Sequence, residues 1–517
     1  PPTPPSPTRA PDTLNSRQFA TIQDLLSEGE IEGFATPSKA GLTKGSTAYN
    51  NAAQKDIFLN DTPILNSSAS NTSPGTSDFN FQNVTFTPRF GTSNQSHIPG
   101  IESSQSLTSV GVTVTTSSPV TRQITNTNVD AAKVTITFPQ LQKATDQGDL
   151  LGSTVELKIQ VQYNGGGFSD VLSDTITGRT ADAYQKEYRV NITGAFPVDI
   201  RVVRITADST SSSLVDAFAW TSLGEIIDDK QTYPNSAYTN LRIDSEQFSS
   251  IPKRAFRIRG VKVRIPGAGA SSSGTPTVDL QTGRIIYPSG YIFNGTMGAA
   301  VWCSCPAMIL LDLLTTERYG FGTHITDSNL DLFSFVAASR YANELVSDGF
   351  NGQEARFSCN VNLQGSMEAY QLINELAGVM RCFPIWSEGS VTITQDKPTD
   401  PSYLFSLANV GEGGFSYSGS SLKQRHTVIS VSYFNMDSRE IDYEVVEDTA
   451  AQAKLGIVKK DVKAFACTSR GQAQRLGKAI LFSEQNESEV ISFTTSIDAG
   501  AIVRPGSVIS VNDPVRG

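Results

Sequence analysis

At 517 residues the chain is too long for one core and implies several domains of about 100–150 residues each. Its formal charge of -10 has the wrong sign for a protein that binds nucleic acid along its length, because such binding needs Lys and Arg to neutralise phosphates. No run reaches the roughly 18 apolar residues of a membrane span, and 18% charged residues with 41 Gly and 25 Pro describe a turn-rich, soluble, mainly β chain rather than a coiled coil.

In chain order, residues 1–13 carry Pro1, Pro2, Pro4, Pro5, Pro7 and Pro11, which cannot enter a ladder or a helix. An extended arm that crosses a neighbouring subunit or hangs free is expected. Phe19, Ile22, Leu25 and Leu26 recur at helical spacing before Gly29, so Ser16–Ser27 is expected to form a short amphipathic helix. Asp61–Asp130 holds 26 Ser and Thr but only six charged residues, and loops with short exposed strands should follow. The sequons at Asn66 and Asn83 are what chance gives in so Asn- and Ser-rich a stretch.

Val155 to Tyr163 alternates strictly, and Asn164-Gly165-Gly166-Gly167 turns it into a hairpin. With strands at Lys133–Phe138, Tyr188–Ile192 and Val198–Ile205, this predicts an immunoglobulin-like or fibronectin-like β-sandwich within 120–215. Lys253, Arg254, Arg257, Arg259, Lys262 and Arg264 form a basic stripe on one strand if a bulge at Gly260 restores the alternation. Its expected role is a solvated face or a contact with a neighbouring subunit's carboxylates. From residue 299 to 400 helices return: one carries Met308, Leu311 and Leu314 and is ended by the glycines of Arg318-Tyr319-Gly320-Phe321-Gly322. A second carries Leu330, Phe333, Ala337 and Tyr341. A third, capped by Ser366, buries Leu372, Ile373, Leu376 and Met380. This is the expected α+β domain.

From 401 to 517 the pattern is β again and barrel-like, with alternation at Ile429, Val431 and Tyr433 and at Ile441, Tyr443 and Val445. Ser469 and Gln472 make a capping-box pattern, and Ile491–Ile497 with Val508–Val511 is expected to form a closing strand pair, in a domain that may be cut close to its end.

Chemistry is sparse. Cys303, Cys305, Cys359, Cys382 and Cys467 lack metal-ligand spacing and are expected as buried thiols, and His97, His324 and His426 are each isolated. No nucleophile elbow, P-loop or dinucleotide motif occurs. No catalytic, metal or cofactor residue is assigned, and no cofactor is expected. Glu28 with Glu30, and Glu444 with Glu447 and Asp448, are the carboxylate clusters a glycoside-cleaving site would need, so a peptidoglycan hydrolase is one alternative. A multi-β adhesin is another.

One ordered series of segments carries a resemblance. It comprises Ser27-Glu28-Gly29-Glu30-Ile31-Glu32-Gly33, Thr121-Arg122-Gln123-Ile124-Thr125, Trp220 with Glu225-Ile226-Ile227-Asp228, Tyr233-Pro234-Asn235, and Asp244-Ser245-Glu246-Gln247-Phe248. It continues with Arg318-Tyr319-Gly320, Asp348-Gly349-Phe350, Met380-Arg381-Cys382, Gln395-Asp396 and Cys467-Thr468-Ser469-Arg470-Gly471-Gln472-Ala473. From about residue 15 onward the chain resembles the host-specificity protein J family, the tip-attachment proteins of lambdoid long-tailed phages. Two departures are the length of the Ser/Thr-rich stretch and Ser347, where the family pattern has proline.

The resemblance implies a homotrimeric hub that closes the tail tube and carries the central fibre. Hub domains would lie at 14–119, 216–298, 299–400 and 401–517, with the sandwich inserted at 120–215. Implied partners are the distal tail protein, other tail-tip proteins and the tape-measure protein, with a host receptor reached through a C-terminal region beyond this sequence. The protein would be assembled in the host cytoplasm and reside at the distal end of the virion tail, with no specific nucleic-acid binding and no membrane span.

Overall fold

The structure is a computed structural model that describes residues 7–365, 367–387, 389–419, 425–487 and 489–515. It is mainly β and multi-domain, and two compact units interleave along the sequence: Pro1–Ser27 with Gly45–Arg257, and Glu28–Lys44 with Ile258–Gly517. Strands gather in sheets of two to four, and among the described residues none closes on itself. The barrel form expected for the hub domains is therefore absent there, although the mainly β class holds.

The first unit is dominated by a sandwich of two four-stranded sheets. One runs Ser169–Gly178, Ser153–Tyr163, Val198–Arg204, Val120–Ile124, and the other Tyr184–Asn191, Ala131–Phe138, Ala219–Asp228, Glu102–Thr113. The hairpin read from Val155 to Tyr163 is present, with Val155 opposite Ile176 and Leu157 opposite Asp174. Val155, Leu157, Ile159 and Val161 from one sheet meet Val134, Ile136 and Trp220 from the other in a single core. Alternation on both sheets produces that core, because every second side chain must leave water. Glu102–Thr113, within the Ser/Thr-rich stretch, is a long edge strand exposed along nearly its whole length.

Two expectations fail in this unit. Phe19–Glu28 is a strand beside Ser236–Asp244, not a helix. Its inward positions include Asp24, which binds Arg254 through both carboxylate oxygens at 2.7 and 2.9 Å. A charged residue on the buried face hid the period of two, and Leu25 points outward. From Pro7 onward the N-terminal arm does not hang free; Pro1 to Pro5 lie outside the described residues. Ala10 donates to the Leu150 carbonyl at 2.8 Å, and the buried Arg179 guanidinium donates to the Ala10 carbonyl and to Asp12 at 2.8 and 2.6 Å. Main-chain groups that proline leaves free of regular structure are satisfied by the edge of the chain's own sandwich.

In the second unit, helices Pro306–Thr315, Leu332–Ala342 and Ala369–Val379 pack around one core holding Met308, Leu311, Phe335, Leu376 and Met380. Pro306 opens the first helix, where a missing N–H costs nothing. Beyond its end, Phe321 N–H folds back to the Leu313 carbonyl at 2.9 Å, a return that the bare glycines 320 and 322 permit. Ser366, expected as a cap, lies outside the described residues; Glu368 stands at the N-cap of the third helix without a side-chain bond.

The last part of this unit is a three-stranded sheet, Glu440–Glu447, Val428–Asn435, Lys459–Lys463, with helix Arg470–Asn486 on one face. Ile429, Val431 and Tyr433 face that helix in a shared core. Ser469 caps the helix as expected, but Gln472 turns away to bond Ser358, so only half of the capping box forms. The expected closing strand pair does not exist. Glu489–Ser492 pairs with Ser416–Gly419 and Ile509–Asn512 with Tyr403–Ser406, because helix Ile497–Ile502 separates them and each finds a partner upstream.

Candidate functional site

Each residue of the basic stripe has a place inside its own unit, apart from the exposed Lys253. The segment is not one strand bulged at Gly260. It is three short strands, Arg254–Phe256, Ile258–Val261 and Val263–Pro266, each pairing in a different sheet, and the register past Gly260 is unshifted. The side chains therefore diverge. Arg254 binds Asp24, Arg257 lies 2.7 Å from the buried Asp56, Lys262 is 2.6 Å from Glu30, and Arg264 is 2.7 Å from Asp327. Arg259 is buried, with its guanidinium 4.2 Å from the Trp302 ring centre and donating to the Leu280 carbonyl. The stripe's charges are largely satisfied within the chain.

The hydrogen bonds from Arg264 hold the Asp327 carboxyl below the usual carboxylate range. A depressed folded value stabilises the protein above the unfolded value of about 3.9, and that contribution disappears as pH falls through the folded one. Arg264→Gln should therefore show its largest stability deficit above about pH 5 and approach the parent as pH falls through the depressed folded value, as followed by denaturant titration at several pH values.

The structure brings together sequence segments that lie far apart. Glu28-Gly29-Glu30 meets Arg318-Tyr319: Arg318 Nε is 2.6 Å from Glu28, and a Cβ on Gly29 would sit 3.1 Å from the Tyr319 ring. Gly29 has φ +101°, a conformation that a side chain would strain. Tyr319 in turn donates to Asp312, whose carboxyl is raised by burial.

Asp348-Gly349-Phe350 meets Ser469-Arg470-Gly471, with the Arg470 guanidinium 4.0 Å from the Phe350 ring centre and Arg470 Nε 2.7 Å from Glu444. A Cβ on Gly471 would lie 2.6 Å from the Asp348 carbonyl oxygen and 3.0 Å from its Cα. That contact is with backbone, so Gly471→Ala should cost about 1–3 kcal/mol and loosen the start of helix Arg470–Asn486, readable by hydrogen exchange. A third meeting pairs Cys382 with Gln395, and Asp396 N–H reaches the Arg381 carbonyl at 2.9 Å. None of these junctions could be read from spacing, because each joins residues 13 to 290 positions apart.

The arrangement holds parts of the chain together. Glu28 is engaged by Arg318, Glu30 by Lys262, and the buried Glu444 by Arg470 and Gln474. His426 Nδ1 lies 2.9 Å from Glu484, which also binds Lys460, just before strand Val428–Asn435. All five cysteines are free and buried, and burial pushes Cys359 and Cys382 up to about 12 and Cys467 to about 11. Among the described residues no cluster of three metal-ligating side chains exists, and no helix is long and apolar enough to cross a membrane. Two open clefts of about 360 and 310 Å³ are lined by short polar side chains, by Lys397 and Asp400 in the first and by Arg204 and Asp216 in the second.

Comparison with known proteins adds what geometry alone does not. Residues 104–229 match the family model for the tip attachment protein J FNIII-A domain, and residues 368–517 match that for a putative phage tail protein. The tip attachment protein J of Escherichia phage SECphi27 is 32% identical over 462 residues, covering 89% of this chain and 37% of that protein. That of Escherichia phage SECphi4 is 30% identical over 517 residues, covering 98% and 42%. The chain thus spans about two fifths of the length of these relatives. Among solved structures, the 43 kDa tail protein of prophage MuSo2 from Shewanella oneidensis aligns over 77% of this chain and 90% of its own at 13% identity, with a TM-score of 0.26.

Proposed function

Because the chain belongs to the tip attachment protein J family, we propose that it forms the structural hub of the tail tip of a long-tailed bacteriophage. In this reading it closes the tail tube, carries the central fibre that attaches to the host receptor, and opens the path for DNA delivery. It works as a homotrimer, contacting the distal tail protein, other tail-tip proteins and the tape-measure protein, after assembly in the host cytoplasm. The hub domains are 14–119, 216–298, 299–400 and 401–517, and the sandwich at 120–215 is an inserted module.

The observation that carries the proposal is the pairing, within one chain, of an FNIII-A match over the strands of the sandwich with a tail-protein match over the last 150 residues. The chemistry is consistent with a structural role, since Glu28, Glu30 and Glu444 are held in ion pairs. The electrostatics fit as well: an acidic chain whose basic stripe is largely turned to its own carboxylates offers little to a passing phosphate backbone.

Symmetry-free reconstruction of the virion tail tests the proposal. Threefold density for this chain at the distal end is expected, and its absence from purified tails would overturn the assignment. The purified chain should leave a peptidoglycan suspension turbid. Clearing that vanishes in Glu28→Gln or Glu444→Gln would overturn the non-enzymatic reading.

A further inference from the structure

The three-stranded sheet in the C-terminal part of the second unit has two unlike edges. Strand Glu440–Glu447 forms one edge and strand Lys459–Lys463 the other, with Val428–Asn435 between them. The first edge strand carries Glu440, Asp442, Glu444 and Glu447 and no basic residue, whereas the second carries Lys459, Lys460 and Lys463 against a single Asp461. Glu444 is committed to Arg470, Lys460 to Glu484 and Lys459 to Asp461 of its own strand at 2.8 Å, so the edges still differ in sign through Glu440, Asp442 and Glu447 on one and Lys463 on the other.

The face turned away from helix Arg470–Asn486 has a second peculiarity. Ile441, Tyr443 and Val445 lie on it, 63%, 62% and 51% exposed, and Phe434 stands directly opposite Ile441. Four neighbouring apolar side chains on one sheet face form a patch, which isolated surface hydrophobics do not. Glu447 shares this face through its pairing with Val428, and Lys459, Asp461 and Lys463 share it through theirs with Val428, Ser430 and Ser432.

We propose that this sheet joins copies of the chain head to tail: strand Glu440–Glu447 of one copy adds, antiparallel, to strand Lys459–Lys463 of the next. The occupant of each edge is thus a second copy of the same chain, and charge complementarity selects it, since an acidic edge meets a basic one only when the contact is heterologous. Two like edges would repel. In the joined sheet Ile441, Tyr443 and Val445 share a face with the incoming Lys459 and Lys463, whose aliphatic stems cover the apolar patch while one ammonium group reaches Glu447. A closed ring also removes both edges of the sheet, which would otherwise remain open to unwanted pairing. The inference rests on the trimeric reading above and names the surface that would build it.

The test uses the full chain and native mass spectrometry with sedimentation across a concentration series. Glu447→Lys, and separately Lys459→Glu with Lys463→Glu, should each weaken association at least about tenfold, because each places like charges edge to edge on one face of the joined sheet. Combining all three changes in one chain restores complementarity on that face and should recover most of the lost association. That recovery cannot come from a misfolded chain. If the parent chain forms trimers and the edge variants form them equally well, or if the combined variant stays as weak as its parents, the edge assignment is overturned while the trimer stands. A parent chain that remains monomeric at every concentration overturns the trimeric reading itself.

Discussion

Trp220→Ala is expected to lower the stability of the sandwich by about 3–5 kcal/mol, the range for emptying a large aromatic from a packed core. Trp220 is fully buried between the two sheets, and its indole N–H donates to the Ser222 carbonyl at 2.8 Å. The register between Ala219–Asp228 and both of its neighbours shifts between Trp220 and Ser222, so the indole bond also steadies an irregularity in the ladder. Removing the ring leaves a cavity and deletes that bond at the same place. With more than one compact unit in the chain, a single melting temperature would blur the effect. Hydrogen exchange of Ala131–Phe138 and Ala219–Asp228 is the direct measurement. Lost protection in those strands, with the helices of the second unit unchanged, is the expected result, and unchanged protection in the strands would refute it.

What could be read from sequence depended on whether the signal was local. Val155 to Tyr163 alternates without a break, so its strand, its hairpin and its buried face are all as expected. The stripe of Leu372, Leu376 and Met380 and the cap at Ser469 were legible for the same reason, since periodicity and capping involve residues within a turn or two. Phe19–Glu28 was misread because the partner that lets Asp24 face inward, Arg254, is 230 residues away. The basic stripe was misread as one strand because nothing local says that Arg254–Phe256, Ile258–Val261 and Val263–Pro266 find three separate partners.

The junctions show the same limit from the other side. Glu28-Gly29-Glu30 and Arg318-Tyr319 stand out as sequence, but only the fold shows that a bare glycine and the Glu28–Arg318 ion pair lock them together. The exposure of Ile441, Tyr443 and Val445 was equally hidden. Their alternation marks a strand with one apolar face and leaves open which way it turns; the helix packs on the opposite side, against Val431 and Val446.

The second large effect is expected from the buried ion pair of the sandwich. Arg204 and Asp216 are both nearly inaccessible, with the guanidinium 2.7 Å from the carboxylate and donating as well to the Asp216 and Thr206 carbonyls at 2.7 and 2.9 Å. The pair ties the segment after strand Val198–Arg204 to Leu214–Val215 and the residues that follow. Arg204→Met keeps the volume and strands the Asp216 carboxylate in a site with little access to water, which should cost about 3–5 kcal/mol. Asp216→Asn should cost less, because Asp208 remains 3.2 Å from the guanidinium and its carboxyl reaches solvent. Arg204→Met combined with Asp216→Leu removes both charges and should regain most of the loss, since two apolar groups leave nothing buried and unpaired. Unfolding of the three variants, followed through exchange of Val198–Arg204, gives that order. A combined variant as unstable as Arg204→Met alone would show that the guanidinium's contact with the Phe218 ring, rather than charge pairing, governs the site.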